Sequence, residues 1–376
     1  MTYRGLTWDH PRGYNALAEA ARRINASRAE PLLVWEKQTL EGFESAPIAE
    51  LASRYDLLVI DHPHVGEAVD KDCLHAFEDL FDPDQIAAWD QQSVGPSLAS
   101  YQLAGRTWAL PLDVATQVMA RRADTLRDPP QSYREIIELA KKVPVAQSLA
   151  GPHALLTFFS VIAGLGGRAG DGGLMCQPEA EQALSIMHEL YRVRSPGTEA
   201  LNPIALSEAL LAGDLALVPL IFGYVNYAKS TLPTRIAFTD TIGVRGPQSG
   251  GVLGGTGLAL SKRCKPTPTL LQHVADLMTP GTQRDLFAAF DGQPSARTVW
   301  TDKTINGRWG NFYQDCLATA ERAFVRPRFH GYVRYQTLAS QRLREALEAS
   351  EPETKTLHAL RMAWAEANAL APVLTA

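Results

Sequence analysis

Cysteine is scarce in this sequence: four residues in 376, at Cys73, Cys176, Cys264 and Cys316, with no C-x-x-C pair and no metal-type spacing. That scatter excludes a disulfide-stapled scaffold and a zinc ribbon. It reads as reduced, half-buried thiols, the usage of a reducing compartment. A basic excess is also missing, since 36 Lys and Arg face 41 Asp and Glu for a formal net charge of −5. Nucleic acid as a partner is therefore not expected, and no Lys/Arg run is long enough for a membrane-surface patch. No segment approaches the roughly 20 apolar residues that span a bilayer, so membrane insertion is not expected either. The opening MTYRGLTWDHPRGYNALAEAARR has no basic region followed by an apolar core and a small-residue cleavage site. Two localisations follow: cytoplasmic if Met1 is the natural start, periplasmic if a leader has been removed. A nucleophile elbow, a phosphate loop and a dinucleotide fingerprint are absent as well.

What is there begins with alternation. The patterning predicts a strand over Tyr3–Trp8, a helix over Tyr14–Ser27, a strand over Leu32–Trp35, a helix over Pro47–Arg54 and a fully apolar strand over Leu57–Ile60. Short buried strands alternating with helices predict an α/β fold with a parallel, helix-covered sheet. In the strand order 2-1-3 that such sheets often adopt, the first and third strands are neighbours, and their carboxyl ends meet where these sheets bind ligands. The triplet Asp-His-Pro closes both strands, as Asp9-His10-Pro11 and as Asp61-His62-Pro63 with His64 beyond. The expectation is one composite site with two matching halves. Each proline biases the residue before it toward an extended turn.

The middle of the chain predicts helices over PPQSYREIIELAKKV, His153–Leu165 and Glu179–Arg192, the last two separated by the glycine-dense GLGGRAGDGG. Ser207–Ala228 reads as a helix, a Gly-Asp break, a buried strand and the aromatic loop FGYVNY. Residues 250–261, GGVLGGTGLALS, read as a glycine turn leading into a strand, and the chain from Thr267 onward as mostly helix.

Taken together, DLLVIDHPHVGE, YQLAGRTWALPLDV, SYREIIELAKK, SEALLAGDLALVPLIFGY, GGTGLALSK and TPGTQRDLFAAFDGQPSART resemble, in order and spacing, the carbohydrate-type extracellular solute-binding proteins of ABC importers. The likeness covers nearly the whole chain. It implies a two-lobed type II periplasmic-binding-protein-like fold, each lobe a helix-flanked, mostly parallel sheet. One lobe would comprise residues 1–111 and 260–308, the other 112–259 and 309–376. Hinge crossings are expected near Leu110–Asp113, Leu258–Leu260 and Trp309. The resemblance further implies a monomer and, if the chain is exported, an ABC permease as partner.

The loops after the strands nominate the ligand-facing residues. The first lobe offers Trp8, Asp9, His10, Trp35, Lys37, Asp61, His62 and His64. Asp113 and Gln117 lie near the hinge. The second lobe offers Phe222, Tyr224, Asn226 and Tyr227, with Gly254, Gly255 and Thr256 in the glycine turn. Aromatic rings beside carboxylates suit a polar ligand with an apolar face, such as a sugar. Arg326 and Arg328 read either as a clamp for an acidic group or as structural ion pairs. No cofactor is expected, although two acids and three imidazoles at one rim leave a divalent metal open. Two functions stay open. The first is capture of a small sugar or organic acid by hinge closure. The alternative is a cytoplasmic enzyme on the same scaffold, a lyase, isomerase or hydrolase of a small hydroxy- or keto-acid, with His10 and His62 as its catalytic acid–base pair.

Overall fold

The structure, a computed structural model, describes residues 2–167, 178–243 and 250–369. Strand β1 (Tyr3–Trp8) runs into helix α1 (Pro11–Asn25). The helix starts three residues earlier than its apolar pattern predicts, because Pro11 supplies a φ already suited to the first helical position. His10 sits at φ −152° and ψ 147° just before it, and its Nδ1 accepts the Arg12 N–H at 3.1 Å, capping the helix. Strand β2 (Leu33–Gln38), helices α2 (Leu40–Ser45) and α3 (Ile48–Arg54), and strand β3 (Leu57–Ile60) complete the alternating segment. All four residues of β3 are buried, as a strand covered on both faces by helices requires.

β1 pairs in parallel with β2 on one side and with β3 on the other. The predicted 2-1-3 order is therefore the observed one. After the small hairpin of β4 (Gln102–Leu103) and β5 (Arg106–Thr107), the 13-residue β6 (Leu110–Arg122) carries the sheet onward. Strands β7 (Leu217–Phe222), β8 (Ile236–Thr239) and β9 (Leu253–Leu260) follow. The sheet order is β2-β1-β3-β9-β6-β7, with β8 also on β6. β9 pairs antiparallel with β3, and β6 antiparallel with β9, β7 and β8, so the parallel ladders are those of β1 to β3.

β6 belongs to both halves. Its first part, Leu110 to Thr116, pairs with β9, and its second, Gln117 to Arg122, with β7 and β8. Register shifts occur between Pro111 and Asp113 and between Val118 and Ala120. The expected glycine turn is therefore strand: Gly254 and Gly255 lie within β9 opposite Ala115 and Val114. Glycine is needed there. Gly255 has φ +109°, and a Cβ at that position would stand 2.2 Å from the Asp113 carbonyl.

Three bodies of apolar packing flank this sheet, the smallest holding Leu6, Leu51, Leu58, Ile60, Val65 and Trp108. Of the larger two, one gathers Trp8, Leu17, Leu57, Val118, Leu258 and Trp300. The other gathers Phe158, Phe159, Leu184, Met187, Tyr335 and Leu343 from helices His153–Gly164, Pro178–Val193 and Tyr332–Glu348. Helix Pro203–Ala212 ends on Gly213 at φ +92°, the Gly-Asp break seen in the sequence. Cys73, Cys264 and Cys316 are unpaired thiols. Cys176 and most of the glycine-dense linker lie outside the described residues. Among the described residues, no helix is long and apolar enough to cross a membrane.

Candidate functional site

The carboxyl ends of β1 and β3 converge on a narrow cavity of about 50 Å³ between the two halves of the fold. Trp8, Arg12, Phe43, Glu44 and Asp61 line one wall. Phe222, Tyr224, Gly254, Gly255, Thr256 and Arg326 line the other, with Leu40 and Ala115 between. Pockets for small ligands usually measure about 300–1,000 Å³. As it stands in the structure, the cavity is smaller than a sugar-sized molecule requires.

The two Asp-His-Pro triplets reach this place differently. In the second, Asp61 is extended at φ −84° and ψ 145°, and its carboxylate turns inward. Both of its oxygens accept from Nη2 of the buried Arg326 at 2.6 Å. Burial alone would raise the Asp61 pKa, but Arg326 and the adjacent His62 hold it well below the ordinary carboxylate range. His62 lies fully buried beneath, its Nε2 accepting the Arg326 backbone N–H at 3.2 Å. Burial and the Arg326 charge bring the imidazole down to about 4.

In the first triplet, Asp9 turns outward. Its side chain is 59% exposed and pairs with Lys37 at 2.6 Å, so neither residue faces the cavity. His10 instead stacks on the Trp8 ring at 5.0 Å and meets the edge of Tyr224 at 5.1 Å. Desolvation lowers its imidazole to about 4, with Arg12 adding to the effect.

Arg12, two residues on, is the inward-facing charge here. Its Nε donates to both Asp113 oxygens at 3.0 Å, and Nη1 donates to the Gly223 carbonyl at 3.3 Å. The guanidinium carbon stands 4.9 Å from the Tyr224 ring and 5.7 Å from that of Trp8. Asp113 also accepts the Gln293 N–H at 2.9 Å. Two buried Arg–carboxylate pairs thus flank the cavity, and the Arg326–Asp61 pair joins its two walls.

Of the sequence-nominated residues, the fold brings Trp8, Asp61, Phe222, Tyr224, Gly254, Gly255, Thr256 and Arg326 to the cavity wall. His10, His62 and Asp113 stand directly behind it as supports. Trp35 packs where a Cβ on Gly5 would lie and is absent from the cavity lining. Asn226 is half-buried in the 3₁₀ turn Val225–Ala228, away from the cavity, because the turn carries it past Tyr224. His64 faces a separate surface groove with Pro47, Glu67 and Phe329, since the 3₁₀ turn His62–His64 rotates it off the rim. Gln117 is engaged with Thr157 and Ser160 in the interior. Arg328 donates to the carbonyls of Ala99 and Ser100.

Sequence reasoning missed Arg12, Phe43 and Glu44. Arg12 could have been found as the residue that directly follows the triplet Asp9-His10-Pro11. Phe43 and Glu44 lie on α2, beyond the end of β2, whereas the loop-after-strand rule pointed to Trp35 and Lys37.

The arrangement holds its histidines for structure. His10 caps α1 and His62 accepts a backbone amide, so each has a ring nitrogen committed. Among the described residues, no group of three His, Cys, Asp or Glu side chains is placed to hold a metal ion. What the cavity offers is aromatic surface, two balanced ion pairs and the Glu44 carboxyl, a set suited to binding.

Known structures share this architecture. A ribitol-bound ABC transporter solute-binding protein of Agrobacterium radiobacter K84 is similar with a TM-score of 0.79 at 18% identity, covering 98% of both chains. Maltose-bound MalE3 of T. maritima is similar with a TM-score of 0.81 at 16% identity, covering 98% of this chain and 99% of that one. UgpB of Mycobacterium tuberculosis, in complex with glycerophosphocholine, gives 0.76 at 15% identity with 98% of each chain covered. These likenesses show the two-lobed α/β fold. No curated protein matches the sequence. Residues 43–306, well over half of the chain, match the family model of the bacterial extracellular solute-binding proteins. With its two-lobed fold and the small cavity at its strand ends, the chain belongs to that family, the bacterial extracellular solute-binding proteins.

Proposed function

We propose that the protein captures an uncharged polyhydroxylated solute, a sugar or a polyol, between its lobes and presents it to an ABC permease. The observation that carries this reading is the cavity's composition. Trp8, Phe43, Phe222 and Tyr224 give aromatic surface for the apolar face of a sugar, while Glu44 and Asp61 give acceptors for hydroxyls. Similar proteins hold ribitol and maltose, which supports the same class here. An organic acid fits less well, because Arg12 and Arg326 already spend their charge on Asp113 and Asp61.

The lobes of this reading are residues 1–111 with 260–308 and residues 112–259 with 309–376, and the working form is a monomer. The passage of β6 and β9 between the two sheet halves supports hinges near Leu110–Asp113 and Leu258–Leu260. Trp8, Asp61, Tyr224, Gly255 and Thr256 contact the ligand, with His10, His62 and Asp113 holding that wall in place.

Calorimetric titration with ribitol, maltose and maltotriose tests the reading. At least one should bind, and Trp8→Ala should weaken it by about 1–3 kcal/mol, the scale of a lost buried aromatic contact. No binding across neutral sugars and polyols, with tight binding of a dicarboxylic acid instead, would overturn it.

A further inference from the structure

Glu44 stands near the end of α2, on the first lobe's wall of the cavity. Its side chain is 24% exposed, and its Oε1 faces Nε2 of His153 at 3.7 Å. His153 opens a helix of the second lobe, so this contact spans the cleft. Among the described residues, no N–H or O–H group donates a hydrogen bond to the Glu44 carboxyl. Every other charge in the cavity has its own counter-ion, Arg12 with Asp113 and Arg326 with Asp61. His153 cannot serve as one, because burial, with Arg326 and Arg344, lowers its imidazole to about 3. The remaining charged groups around Glu44 are Glu41 on its own helix, Asp61 after β3, and Arg326, with Arg12 on the same wall.

A carboxyl largely removed from water, with no donor and no counter-ion of its own, holds its proton more tightly than a free one. Burial, together with Asp61 and Glu41, pushes Glu44 up to about 8, against the opposing pull of Arg326. When the walls part, the group becomes fully hydrated and its ordinary acidity returns.

We propose that Glu44 couples closure of the cleft to uptake of one proton, and that it admits ligands offering uncharged hydroxyl groups to this corner while rejecting anions. The proposal rests on the cleft being the ligand site. Below the ordinary Glu value, open and closed forms are both protonated and closure is indifferent to pH. Between that value and about 8 only the closed form holds the proton, so closure weakens by up to about tenfold per pH unit as pH rises. Above about 8 both forms are ionised and the cost is constant. An anionic ligand adds a second negative charge beside Asp61 and has no free cation to meet it.

Two measurements on the full chain test this. Small-angle scattering at about pH 6 and about pH 9 should show the wild type becoming less compact at the higher pH, while Glu44→Gln stays the same at both. Calorimetry near neutral pH, in two buffers of different ionisation enthalpy, should show about one proton taken up as ribitol or maltose binds, and none in Glu44→Gln. Glycerol 3-phosphate should bind more weakly than glycerol. Identical wild-type scattering at both pH values, polyol binding with no proton uptake, or preference for glycerol 3-phosphate would each overturn the proposal. If neither ribitol nor maltose binds while compaction still depends on Glu44, the neutral-ligand reading falls and the proton coupling stands. If they bind without proton exchange, the reverse holds.

Discussion

At the scale of single residues, the cavity depends on two buried arginines, and Arg326 carries the clearer consequence. Its side chain is 3% exposed, and it donates to Asp61, to Gln336 and to the Leu253 carbonyl. Replacing one member of a buried ion pair strands the other, at about 3–5 kcal/mol. Asp61→Asn should therefore lower the free energy of unfolding by about that much at neutral pH, measured by denaturant titration. Because Asp61 is held low in the folded state, its contribution is present above the ordinary carboxylate value and is lost as pH falls through the folded one. The difference between wild type and Asp61→Asn should accordingly shrink in strong acid; an undiminished difference would rule this account out. His10→Ala removes a helix cap and should cost about 1 kcal/mol in the same experiment.

At the scale of elements, the β6–β9 ladder is the part whose geometry tolerates least. Gly255→Ala places a methyl group against the Asp113 carbonyl at a backbone conformation that alanine resists. The expected result is a lower melting temperature together with weaker ligand binding, because Gly255 and Thr256 line the cavity. A variant with unchanged melting and binding would show that the strand does not need glycine there.

The elements themselves were largely legible in the sequence. The boundaries of β1 and β3 agree with the apolar runs, and their adjacency follows from the usual order of such sheets. Within residues 250–261, read as a glycine turn leading into a strand, the start of the strand at Leu253, before Gly254 and Gly255, was not legible. Glycine signals a break by its freedom at positive φ, yet here that same freedom lets a strand approach its neighbour closely. The cavity was half legible for a related reason. Strand ends point to a rim, but whether Asp9 or Arg12 faces inward depends on where a helix begins. Arg326 is legible as a residue for an ion pair, but that its partner is Asp61, 265 residues away, leaves no local trace. Glu44 was hidden by the shortness of α2, six residues that carry no strong period.

At the scale of the whole molecule, several histidines are buried in neutral form. His10 and His62 fall to about 4 and His153 to about 3, all chiefly through desolvation. An imidazole lowered in the folded state binds its proton more readily when unfolded. Stability is therefore full above the ordinary histidine value and declines as pH drops from there toward about 4. The melting temperature should fall across that interval, the three histidines outweighing the opposite contribution of Glu44, before the ordinary carboxylates titrate. A His10, His62 and His153 triple glutamine variant should show a shallower decline, and equal slopes would refute the assignment.

One strand, β6, is shared by both halves, and its two register slips sit on either side of the cavity-lining Ala115. A ribbon clamped at each end cannot slide lengthwise without breaking its hydrogen-bonded rungs. It can bend or twist where the rungs are already out of step. Motion between the halves must then be angular, with the widest gape farthest from that ribbon and almost no displacement beside it. A pair of spectroscopic labels flanking β6 would barely separate, while a pair on the outer lips, near Ser45 and Thr337, would move apart the most.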